Sequence, residues 1–79
     1  MKSHNPFFSV KLAELRKERG LSQAKLSQDL GVDPSTVAKY ETNDRLPDIY
    51  LLARLAVYFD VSTDYLLGLE DESGVKTNS

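Results

Sequence analysis

LGVDPSTVAKYE, residues 30–41, is punctuated as the end of one helix followed at once by the start of another. Gly31 stands where a left-handed C-cap belongs. Asp33 can accept backbone N–H groups as an N-cap, Pro34 is tolerated at the first helical position, and Ser35 and Thr36 fill the first turn. The helix so opened is short and polar. Val37 is its one residue expected to be fully buried, with Tyr40 partly covered, while Ser35, Ala38, Lys39 and Thr42 lie on another face. Such a helix is marginal alone and has to be held by its neighbours.

Those neighbours can be read on both sides. In PFFSVKLAELRKERG, residues 6–20, Phe8, Leu12 and Leu15 fall on one helical stripe; Asn5-Pro6 or Ser9 opens the segment and Gly20 closes it. In SQAKLSQDLG, residues 22–31, Ser22 is the expected N-cap and Leu26 and Leu30 form an i, i+4 pair. Thr42-Asn43-Asp44 reads as a turn in which Asn43 can take the left-handed conformation. After Pro47, the residues Ile49, Leu52, Leu55, Ala56 and Phe59 mark a strongly apolar helix at the expected centre of the core. STDYLLG, residues 62–68, is a last short helix starting at Ser62 or Thr63 and stopping at Gly68. No segment alternates with period two over a useful length, and there is no internal repeat. The expectation is an all-α, compact five-helix domain over residues 1–69, followed by an acidic, polar tail, residues 70–79, expected to be disordered.

Bulk properties narrow the function. Seventy-nine residues make one small domain, and the absence of cysteine excludes disulfides, thiolate metal sites and cysteine nucleophiles. The longest apolar stretch, residues 49–59, is interrupted by Arg54 and too short to span a bilayer, so no membrane partner is expected. MKSHNPFF carries no signal-peptide run, which makes the cytoplasm the default compartment. The net charge of −2 argues weakly against a nucleic-acid partner, but its distribution is uneven. Residues 1–47 hold eight Lys/Arg against six Asp/Glu, and residues 48–79 hold two against six. Lys11, Arg16, Lys17, Arg19, Lys25 and Lys39 are the cations that could face an anion; a solvated surface with chance asymmetry would give the same counts.

Two helices joined by a short turn containing glycine match the helix-turn-helix unit, whose second helix packs through one edge and leaves the other for the DNA major groove. A plain five-helix bundle with one exposed helix would produce the same pattern. The words LRKERGLSQAKLSQDLGVDPSTVAKYE and FDVSTDYLLG carry more: together with Pro47 they resemble the phage repressor/Cro (Xre) family of helix-turn-helix domains, over roughly residues 8–69.

The resemblance implies roles. Pro34, Ser35, Ala38 and Lys39 occupy places from which family members reach base edges, and Gln23 resembles a glutamine that bonds a DNA phosphate from a helix start. Ser22, Thr42 and Asn43 are the further backbone contacts. Arg16 and Glu41 match an ion pair between the first and third helices. The residues themselves also allow local roles: Ser35 can bond nearby backbone, Gln23 can be a solvent-exposed amide, and Lys39 a solvated charge. Tyr40 reads as a packing residue and His4 as inert. Pro34 stands where many relatives carry a long polar side chain, Ala38 offers only van der Waals contact, and Asn43-Asp44 replaces a glycine and a cation. Together these departures imply modest affinity from a single domain.

A second copy would compensate. The resemblance implies a homodimer, with Tyr65, Leu66, Leu67 and Leu69 as the expected interface. The function it implies is a sequence-specific DNA-binding transcriptional regulator, a repressor on a palindromic operator, with double-stranded DNA as partner. The alternative is a protein-interaction or antitoxin module, in which the domain serves mainly to bind a partner protein. One histidine, no cysteine and no carboxylate pair placed for a cleft argue against an enzyme, a metal, a cofactor or a small-molecule substrate.

Overall fold

Ser22, Asp48 and Ser62 each turn extended backbone into helix by accepting a main-chain N–H. The donors are Lys25 (3.0 Å), Leu51 (2.8 Å) and Tyr65 (2.9 Å), each three residues downstream. The computed structural model describes residues 6–69, which form α1 (Pro6–Glu18), α2 (Gln23–Asp29), α3 (Thr36–Glu41), α4 (Ile49–Phe59) and α5 (Thr63–Leu67). There is no strand among the described residues. Asn5, His4 and the acidic segment 70–79 lie outside them.

Left-handed residues end the elements. Gly31 takes φ +73° after α2 and Asn43 takes φ +65° after α3, where turn chemistry is expected. Asp60 at φ +56° after α4 does the same without any glycine signal. Gly68 has a second constraint: a Cβ there would come within 2.8 Å of the Phe7 ring, so α5 closes directly against α1.

The core gathers Phe8 and Leu12 of α1, Leu26 and Leu30, Val37 and Tyr40, and the Leu51–Leu55–Phe59 stripe of α4, with Leu66 beneath α5. The α3 helix packs against α1 and α2, and α5 against α1 and α4. Tyr40 is more deeply placed than expected, 3% exposed, with its ring edge-on to Phe8 at 6.1 Å. Thr36 is buried too, so the inner edge of α3 consists of Thr36, Val37 and Tyr40.

Three expectations need correction. The α3 helix begins at Thr36, not at Pro34: residues 33–35 form a turn in which Asp33 accepts from the Ser35 N–H through its carboxylate and from the Thr36 N–H through its carbonyl. Ile49 is 75% exposed rather than part of the core, because burial follows Leu51, Leu55 and Phe59, and Ile49 points about 120° away from the centre of that line. Leu66 is completely buried and is therefore not available to a second chain. Burying it anchors α5, which is only five residues long.

Candidate nucleic-acid interface

The α3 helix is held from behind by three ties of different chemistry. The first is the burial of Val37 and Tyr40. The second is a polar bond inside the apolar seam: the Val37 N–H donates to Ser27 Oγ at 3.1 Å, with both residues fully buried. A first-turn N–H has no partner within its own helix, so a side chain from α2 supplies the missing acceptor. The third is ionic. Arg16 Nε donates to Glu41 Oε2 at 2.6 Å and Nη2 donates to Oε1 at 3.0 Å, with side chains only 12% and 7% exposed. The remaining fork nitrogen, Nη1, donates to the Leu21 carbonyl at 2.7 Å. Glu41 also accepts from Gln23 Nε2 at 2.9 Å. The Glu41 carboxylate raises the Arg16 guanidinium above its ordinary value, with desolvation opposing it.

The opposite edge of α3 and its lead-in are open. Pro34, Ser35 and Lys39 are exposed and Ala38 is half-buried between them. Ser35 directs both its N–H and its hydroxyl to the Asp33 carboxylate. Those bonds hold Asp33 below the usual carboxylate range, and the Lys39 and Arg45 charges act in the same direction. Lys39 and Arg45 are therefore both within electrostatic reach of Asp33, at the lead-in to α3. Neither holds a side-chain hydrogen bond or ion pair among the described residues.

The residues expected to touch backbone phosphates sit at two places. Ser22 lies in a shallow groove with Lys25, Gln28, Val32 and Pro34, between α2 and the approach to α3. Gln23 is half-buried beside it, one amide hydrogen committed to Glu41 and the other left over. Thr42 and Asn43 stand at the far end of α3. There the single Thr42 hydroxyl proton has two local acceptors, Asp44 Oδ2 at 2.7 Å and the Lys39 carbonyl at 3.2 Å.

The supply of cations is smaller than the sequence count suggests. Lys11 bonds Glu14 and the Tyr65 hydroxyl, Arg19 lies over the Phe59 ring and reaches the Tyr58 carbonyl, and Lys25 pairs with Asp29. With Arg16 on Glu41, four of the six cations between Lys11 and Lys39 are occupied within the molecule. Lys17 and Lys39 have no such partner among the described residues. Lys25–Asp29 is an exposed pair that holds its lysine weakly. Burial lowers the Lys11 ammonium, but its bonds to Glu14 and Tyr65 outweigh that and leave it raised.

Ser27 and Arg45 were not singled out by sequence reasoning. Arg45 carried a legible signal, being the next cation after α3; Ser27 did not, since its spacing is that of an ordinary helix interior. Tyr65, Leu67 and Leu69 do not form a clear outer patch. Tyr65 and Leu67 are half-buried, and only Leu69, 39% exposed, faces outward. Among the described residues no cluster of His, Cys, Asp and Glu could hold a metal ion. No helix there is long and apolar enough to cross a membrane.

With this geometry in place, comparison with known proteins gives a consistent picture. A helix-turn-helix family model matches residues 12–66. The HTH-type transcriptional regulator AnsR of Bacillus subtilis (strain 168) is 42% identical over 62 residues, 78% of this chain and 53% of that protein. The regulator YobD of the same organism is 36% identical over 69 residues, 87% of this chain and 62% of that protein. Among solved structures, a transcriptional regulator from Listeria innocua superimposes with a TM-score of 0.75 at 42% identity, over 82% of this chain and 61% of its own. The chain thus spans about half to three fifths of the length of these relatives.

Proposed function

This chain belongs to the helix-turn-helix family, and on that premise we propose that it is a DNA-binding transcriptional regulator, a repressor occupying a palindromic operator as a dimer. The observation that carries the reading is the open outer edge of α3, Pro34 to Lys39, backed by an inner edge tied to α1 and α2 and accompanied by Lys39 and Arg45, which hold no partner among the described residues. A B-form major groove about 12 Å wide admits one helix presented in this way.

In the proposed complex Lys39 meets a guanine edge or a phosphate, and Ser35 offers hydroxyl lone pairs to a base donor. Pro34 and Ala38 contribute apolar contact, suited to a thymine methyl. The spare Gln23 amide hydrogen, the Ser22 hydroxyl and the α2 N-terminus receive one phosphate, and Thr42 and Asn43 approach another. Residues 1–69 act as the binding unit and residues 70–79 as a tail, in the cytoplasm. Repression follows from occupancy, since a filled operator excludes polymerase without any chemistry by this chain.

Selection from random duplexes supplies a site, and labelled-DNA binding then compares the wild type with Lys39→Ala and Gln23→Ala. Each variant is expected to lose affinity. Lys39→Ala should also reduce the salt slope by about one if its partner is a phosphate. Unchanged affinity in both variants would remove this surface from the mechanism.

A further inference from the structure

The most exposed large apolar side chains of the described residues lie neither on α3 nor on α5. They are Ile49, Tyr50 and Val57 of α4, at 75%, 77% and 80% exposure, against 39–58% for Phe7, Val10, Leu46 and Leu69. Ala53 and Arg54, also exposed, complete the same side of the helix. We infer that this outward stripe of α4 is where two copies of the chain meet. The inference rests on the proposal that the chain acts as a dimer, and assigns that dimer a surface other than α5.

A two-fold contact must map one set of residues onto itself. Ile49, Ala53 and Val57 are spaced by four and form a single line along α4, about 12 Å from end to end. Ala53 is its midpoint, with a β-branched side chain four residues away on either side. An antiparallel pairing about an axis through Ala53 sets Ile49 against Val57 of the partner subunit, and the converse. Two alanines at the crossing let the helices approach closely. No other exposed apolar set among the described residues has this symmetry about a small residue.

Charge agrees with that register. Arg54 holds no ion pair or side-chain hydrogen bond among the described residues. Tyr50 and Arg54 share one flank of the stripe. Inverting the second helix sets the Tyr50 ring of one copy on the same flank as Arg54 of the partner subunit, about one helical half-turn apart along the axis and suited to a cation–π arrangement. Shallow grooves run along α4, one lined by Asp29, Leu30, Val57 and Tyr58 and another by Val32, Tyr50 and Arg54. They leave room for side chains of a second copy. The stripe is small beside the roughly 800 Å² per partner of a standard interface, so the dimer is weak in free solution and strengthened when two half-sites hold both copies.

Because the chain has no cysteine, one can be placed at will. Ala53→Cys, Val10→Cys and Leu69→Cys, each in the 79-residue chain, are oxidised at matched concentration, and Val57→Glu is compared with the wild type by sedimentation equilibrium. The expected results are a covalent dimer from Ala53→Cys well ahead of the other two, and a dissociation constant raised at least about tenfold by Val57→Glu with an unchanged melting curve. A wild-type dimer that is insensitive to Val57→Glu and is trapped by Leu69→Cys or Val10→Cys overturns the α4 assignment and leaves the dimer reading standing. A wild type that stays monomeric at every concentration and loads one copy per two-half-site duplex overturns both.

Discussion

Replacing Glu41 by alanine is a sharp test of how α3 is held. The substitution removes both bonds of the Arg16 fork, at 2.6 and 3.0 Å, and the acceptor of Gln23 Nε2. The guanidinium then keeps only the Leu21 carbonyl, on a side chain that is 12% exposed. Breaking a buried pair from one side leaves an uncompensated charge and costs about 3–5 kcal/mol, whereas an exposed pair contributes about 0–1 kcal/mol. Both side chains keep a small solvent-facing edge, so the lower end, about 3 kcal/mol, is the expected loss. A domain of this length has a total stability of roughly 4–12 kcal/mol, and each kilocalorie moves Tm by about 4–8 °C, which gives a drop of roughly 12–24 °C.

The assay is urea and thermal unfolding followed by far-UV circular dichroism, with the m-value checked for constancy. Adding Arg16→Met to a Glu41→Leu background should recover much of the loss, because an apolar pair of similar volume carries no stranded charge. A loss below about 1 kcal/mol for Glu41→Ala would place the pair in the exposed class. Strictly additive single and double variants would show that the two residues do not act on one another. Either result refutes the reasoning.

Ser27→Ala should cost about 1–3 kcal/mol in the same unfolding assay, because the buried Val37 N–H loses its acceptor; a neutral result would mean that this N–H finds another partner. Acid stability should also report the local bonds of Asp29 and Asp33, both held below the ordinary carboxylate range, Asp29 by Lys25 and Tyr58 and Asp33 by Ser35. A depressed folded-state value adds stability above the unfolded value of about 3.9 and forfeits it as pH falls through the lower folded one, so the loss belongs below about pH 4 and should flatten in Asp33→Asn.

What was legible in the sequence was local. Ser22, Ser62 and Gly31 announce helix ends because a cap is settled within three or four residues. The start of α3 was misplaced for an equally local reason: Asp33, Pro34 and Ser35 suit a first turn, but the same Asp33–Ser35 bonds also satisfy a turn that precedes the helix. The tertiary choices were not legible. The sequence of α4 allows an apolar stripe through Ile49 as readily as one through Leu51, and packing selects the second. Likewise, YLLGL does not say which leucine goes under α5. The cations read as a basic half because their partners, Tyr65 for Lys11 and Tyr58 and Phe59 for Arg19, come from sequence-distant elements. Ser27 is indistinguishable in spacing from a surface serine, and only the fold places it opposite the Val37 N–H.

The arrangement separates stability from recognition across a six-residue helix. A helix that short does not form alone, so its order comes from Val37 and Tyr40, from Ser27 and from the Glu41 pair, all on its inner side. The outer residues Pro34, Ser35 and Lys39 take no part in those ties, which leaves them free to differ with little effect on folding. The same economy limits each copy: among the described residues, Lys39 and Arg45 are the unpaired cations near α3, since the neighbouring ones already hold partners. In the proposed complex so few phosphates would be neutralised per domain that the electrostatic share of binding would be small for one copy and would double for two. For the proposed dimer, a weak self-association surface on α4 would then be sufficient, because DNA would supply the effective concentration that the protein interface lacks.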